Sequence, residues 1–223
     1  MSQTAFLRLE WLLSLALTLL SIAWATAREL PLAAALAPTP SRLALGVVAG
    51  AALWGTIPLL LRSTAMRRVW NELLLPFSRT LGRRDILVIA LLSGFSEELF
   101  FRGVLLPEMG LVLSSLCFGA LHALCAVYFA WATLIGAGLG ALALASGSLV
   151  TPIAAHATYN LGALLLLRHS ALRSPAVSVT AAAPAEHRVS VVGHVAAPAR
   201  NARLMGDAAG SSGLAARESG DLE

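Results

Sequence analysis

The 223-residue sequence contains no lysine. All 16 of its basic residues are arginine, a pattern read here as nucleotide-composition bias. Charge of either sign is scarce, at 13% of residues. No basic patch with interleaved aromatics occurs, so a nucleic-acid partner is not expected. The only two cysteines, Cys117 and Cys125, lie in apolar sequence without a CxxC or finger-like spacing. They read as small core residues and indicate neither a disulfide framework nor a cysteine metal site.

What replaces charge is apolar surface: 57% of residues are hydrophobic and the mean hydropathy is +0.77. This is the composition of a membrane protein, and the expected fold is an all-α, polytopic membrane helix bundle. About 20 apolar residues cross the hydrocarbon core. On that measure about six transmembrane helices are expected, near 7–27, 43–61, 86–106, 111–126, 129–146 and 149–167. The fourth and fifth are joined by CAVYFAWAT, which has no charge, glycine or proline to mark a boundary. Pro107 and the turn Ser146-Gly147-Ser148 are read as punctuating helix ends. Gly136, Gly138 and Gly140 do not follow a strand, and are read as small residues that let helices approach closely.

The expected organisation is an N-terminal pair of transmembrane helices (1–62), an arginine-rich loop (63–85), a four-helix membrane core (86–167) and a disordered tail (168–223). Arg62, Arg67, Arg68, Arg79, Arg83 and Arg84 crowd the loop after the second span. Arginine-rich loops face the cytoplasm, so both termini are expected there. Ala25-Thr26-Ala27 is a small-residue pattern of the kind signal peptidase reads, but the first span is long enough to remain as an anchor, which is the preferred reading. His169, His187 and His194 in the tail are read as solvated.

Against this background, SGFSEELFFRGVLL (93–106) places three charges inside an apolar run. An ionisable residue in a span costs ~2.5–3.5 kcal/mol on insertion scales, so each needs a reason. Glu98 and Arg102, four apart, share a helix face and are read as an ion pair. Glu97 lies about 100° around the helix and is left for a different neighbour. Two further polar pairs have helical spacing: Phe118 with His122 in FGALH, and His156 with Asn160 in HATYN. Glu97 is twelve residues beyond Asp85 and His156 twelve before Arg168, so both sit at one depth, ~18 Å from the same edge. Two histidines, a spare carboxylate and an amide are the parts of a water-activating site.

These motifs, EELFFR at 97–102, FGALH at 118–122 and HATYN at 156–160, resemble in order and spacing those of the CPBP family of intramembrane endopeptidases. That family includes the CAAX prenyl proteases and bacterial relatives linked to bacteriocin processing or immunity. The resemblance implies a protease in which Glu97 activates a water together with His122, while His156 and Asn160 stabilise the oxyanion. It implies structural support from Glu98, Arg102 and Phe118, and no cofactor. The expected partners are the lipid bilayer and a peptide or membrane-anchored protein substrate. The compact, arginine-only chain looks bacterial, which points to the bacterial inner membrane. The substrate would then be a leader peptide or a C-terminal sorting or anchoring segment. Two alternatives stay open: zinc held by Glu97, His122 and His156, and a non-catalytic immunity or scaffold protein of the same fold. A proton-relay transporter has less support, because no repeat with paired broken helices is evident.

Overall fold

The computed structural model describes residues 3–173, and these are helical throughout apart from short turns. The tail beyond Arg173, with His187 and His194, lies outside the described residues. Ten α-helices follow in order: α1 (Gln3–Ala27), α2 (Leu32–Ala35), α3 (Pro40–Leu53), α4 (Ile57–Leu60), α5 (Thr64–Arg68), α6 (Leu75–Ser78), α7 (Arg83–Phe100), α8 (Leu106–Leu121), α9 (Ala126–Ser146) and α10 (Val150–Arg173). A π-helical turn, Phe101–Leu105, joins α7 to α8, and another, Val69–Leu74, joins α5 to α6. The segment expected as a loop, 63–85, is therefore largely short helices. The last helix runs past its expected end to Arg173 and carries His169 on its exposed side.

Leucines and valines face outward while hydroxyls and charges face inward, the reverse of a soluble protein. Leu12, Val48, Val112 and Leu134 are exposed, whereas Ser21, Ser93, Ser96, Ser115, Glu98 and Arg102 are buried. Several buried serines are satisfied within their own helices. Ser21, Ser93 and Ser115 donate to the carbonyls of Leu17, Ile89 and Leu111 four residues back. With no water in the bilayer, such internal pairing is what makes a polar residue tolerable in a span. The protein is an all-α helix bundle with several membrane-spanning helices.

Five helical runs are long and apolar enough to cross a membrane. The expected third and fourth spans form one 39-residue run, Arg83–Leu121, that reverses inside itself. Gly110 has φ 78° and ψ 174°, a conformation that an L side chain resists. Phe118 consequently lies against Phe101, with ring centroids 5.0 Å apart. A straight helix would separate these two residues by ~25 Å. The break falls at Gly110 and not at Pro107, which lies where the π-helical turn runs directly into α8. The next boundary falls at residues 122–125, earlier than expected, where Cys125 is extended before α9 begins. Cys117 is exposed on the outer face of α8 and Cys125 is half-buried, so neither is the core residue expected.

Contacts at the two ends of the bundle set the topology. At one end Gln3 donates to Asp85, Arg168 to the Leu81 carbonyl and Arg79 to the Ala171 carbonyl. At the other, Arg28 pairs with Glu108, and the Leu149 N–H donates to the Ala35 carbonyl. Gln3 and Arg173, the first and last described residues, thus belong to the same end. Glycine brings α3 close to α10, the helix that carries the third motif: a Cβ on Gly50 would run into the Ala155 carbonyl oxygen. Small residues there let α3 press α10 against α7.

Candidate active site

Glu97 and Glu98 leave α7 in different directions and enter different environments. Glu98 is fully buried. Its Oε1 accepts from Arg102 Nη1 at 2.7 Å and from His156 Nδ1 at 2.7 Å. Arg102 uses a second nitrogen, Nη2, to donate to the Gly136 carbonyl at 2.8 Å, and its guanidinium stands 4.6 Å from the centre of the Phe118 ring. The expected Glu98–Arg102 pair is therefore present. It extends to two further helices, α9 through Gly136 and α10 through His156. A buried ion pair survives in a low-dielectric interior only with such additional hydrogen bonds. The small residue at 136 matters for this reason, because a Cβ there would approach Phe118 to 3.2 Å and Arg102 Nη2 to 3.5 Å.

Glu97 faces the other way. Its Oε2 lies 3.5 Å from His122 Nε2 and has no hydrogen-bond partner among the described residues. His122 caps the end of α8, with Nδ1 2.8 Å from the Phe118 carbonyl oxygen. A carbonyl only accepts, so Nδ1 carries the proton, and in the neutral ring Nε2 presents a lone pair to Glu97. Phe118 organises both histidines: His122 stacks on it at 4.4 Å and His156 meets it edge-on at 5.8 Å. The i, i+4 spacing of FGALH produces the first contact, and the reversal at Gly110 produces the second.

Asn160 is half-buried and donates from Nδ2 to Ser93 Oγ at 2.9 Å, which ties α10 to the α7 turn before the glutamates. Ser93 was not anticipated from the sequence. A serine one helical turn before Glu97 was the only available signal. Glu97, His122, His156 and Asn160 line one cavity of about 450 Å³, bounded by Leu60, Met66 and Trp70 from the short helices after α3. All four expected residues thus meet in one place. A zinc ion would need Glu97, His122 and His156 around a single point. Among the described residues no three His, Cys, Asp or Glu side chains are grouped to hold a metal.

Residues 82–162 match the family described as type II CAAX prenyl endopeptidase Rce1-like. Over this segment the chain is similar to CAAX prenyl proteases. The matched segment is less than half of the 223 residues but holds all three motifs and every residue of the cavity wall expected from them. No curated protein and no solved structure matches the chain. The match supports, in general terms, an intramembrane CAAX-type protease. An unpartnered carboxylate, two histidines and an amide facing a mostly apolar cavity suit a reaction in which water must be activated away from bulk solvent.

Proposed function

We propose that the protein is a metal-independent intramembrane endopeptidase that uses Glu97 as its general base. The observation that carries this reading is the 3.5 Å separation of Glu97 Oε2 and His122 Nε2. With His122 neutral both atoms are acceptors, so they have no hydrogen bond to make with each other. Each can accept from the same water, which would be held and polarised between them.

The water oxygen attacks the scissile carbonyl carbon as Glu97 takes its proton. The oxyanion accepts hydrogen bonds from His156 and Asn160. His156 has Nε2 left for this task once Nδ1 is on Glu98, and as an imidazolium it has Glu98 as its counter-charge. Donors of this kind supply ~3–4 kcal/mol each in a dry site. The tetrahedral intermediate collapses, the C–N bond breaks, and the proton passes from Glu97 to the leaving nitrogen, giving a carboxylic acid and an amine. Glu98, Arg102 and Phe118 position these groups and do not touch the reacting atoms. The bacterial inner membrane, with both termini cytoplasmic, is the proposed setting. A leader peptide or a C-terminal sorting or anchoring segment is the proposed substrate.

The test is Glu97→Gln, which keeps the shape and removes the base. Cleavage of a peptide substrate should drop by ~100-fold or more, the scale of a lost general base, while the melting temperature in detergent and peptide binding stay near wild type. Near-normal turnover in this variant would overturn the assignment.

A further inference from the structure

A third acidic residue lines the same cavity and is not used by this mechanism. Glu10 sits on α1, half-buried, in the wall that also contains Glu97. Among the described residues no hydrogen bond or ion pair involves its carboxylate. Its nearest basic residue in sequence, Arg8, lies about 200° around the helix. An ionisable residue kept inside a span without a partner needs one from elsewhere.

Depth places Glu10 relative to the reaction. α1 and α7 rise side by side from the Gln3–Asp85 hydrogen bond. Glu10 is seven residues above Gln3 and Glu97 twelve above Asp85, so the two carboxylates are offset by ~8 Å along the bundle. Extended peptide advances ~3.3 Å per residue, so that offset equals two or three residues. The cavity also presents aromatic rings: Tyr128 stacks on Trp131 and Tyr159 is tilted against it, with ring centroids 5.5 Å apart in each pair. A carboxylate together with aromatic faces is the chemistry that receives a guanidinium or an ammonium.

Resting on the protease reading above, we infer that Glu10 is a specificity-determining residue that selects a basic side chain two or three residues from the scissile bond.

The test uses the full chain in nanodiscs of zwitterionic phosphatidylcholine. Its probes are fluorescent peptides of one apolar sequence, carrying a single Arg, Gln or Glu at each position in turn. With cleavage suppressed by Glu97→Gln, one Arg position should bind about tenfold or more tighter than Gln at the same place, the scale of a desolvated charge pair. Adding Glu10→Gln should remove that preference, and adding Glu10→Arg should transfer it to the Glu peptide. In wild type, the mass of the products should place the favoured Arg two or three residues from the cut. An Arg preference that survives Glu10→Gln, the lack of any Arg preference, or no binding of any peptide overturns the inference. Equal cleavage of all peptides would reject it and keep the protease reading. Glu10-dependent binding with no cleavage by wild type would reject the protease reading, and with it the placement relative to a scissile bond, and leave Glu10 only as a receptor for a basic side chain.

Discussion

His156 Nδ1 lies 2.7 Å from Glu98 Oε1, the same carboxylate oxygen that holds Arg102. One buried oxygen thus orders a side chain of its own helix and another 58 residues away. Glu98→Gln should lose stability by ~3–5 kcal/mol, because it leaves Arg102 buried without its counter-charge. The double change Glu98→Gln with Arg102→Gln should recover part of that loss. Activity should not return with it, since His156 has lost the group that orients its ring. Melting temperature and peptide turnover measured on the same samples check both halves, and a double variant that regains turnover would contradict the His156 assignment.

Phe118 is 4% exposed and touches the Arg102 guanidinium and both histidines. Phe118→Ala should destabilise by ~3–5 kcal/mol through the cavity it leaves. Phe118→Leu should melt closer to wild type and still lose activity, because an aliphatic side chain fills space but offers no face to Arg102 or His122. Equal turnover in Phe118→Leu and wild type would show that the ring acts by volume alone.

Gly136 and Gly138 lie two residues apart on α9 and provide an internal control. A methyl group at 136 meets Phe118 and Arg102, whereas one at 138 meets nothing within 4 Å. Gly136→Ala should therefore cost ~1–3 kcal/mol by overpacking, and Gly138→Ala should be neutral or stabilising by ~0.5–1 kcal/mol, as expected for glycine replaced within a helix. Thermal melts of the two single variants in one detergent decide the matter.

The hydrogen bonds from Gln3 to Asp85 and from Arg168 to Leu81 place residues near 3, 81 and 168 at one end of the bundle. Reporter fusions after Thr80 should read cytoplasmic and fusions after Pro38 periplasmic, in line with the arginines that crowd the first of these sites. Opposite readings would invert the proposed orientation, and identical readings would contradict the bundle's two-ended arrangement.

The sequence by itself determined the class of the molecule and the identities of the residues that meet at its site. Apolar runs of membrane-spanning length leave a helix bundle as the economical solution, since backbone groups in lipid must be paired within the segment. Contacts within one helix were equally legible. Residues four apart lie ~6 Å apart in any α-helix, so Glu98 with Arg102 and Phe118 with His122 follow from spacing alone. The tertiary structure decided which carboxylate each histidine meets. Spacing tells which of Glu97 and Glu98 meets Arg102 but not which meets a histidine, and only the packing of α10 on α7, where Gly94 lies against Ala157, brings His156 to Glu98. It likewise decided where the chain reverses, because Gly110 resembles every other glycine until its positive φ returns Phe118 to Arg102. Glu10 stands 87 residues from Glu97, and no local periodicity relates them. They line one cavity because α1 and α7 ascend together, which is a property of packed helices and not of any stretch of sequence.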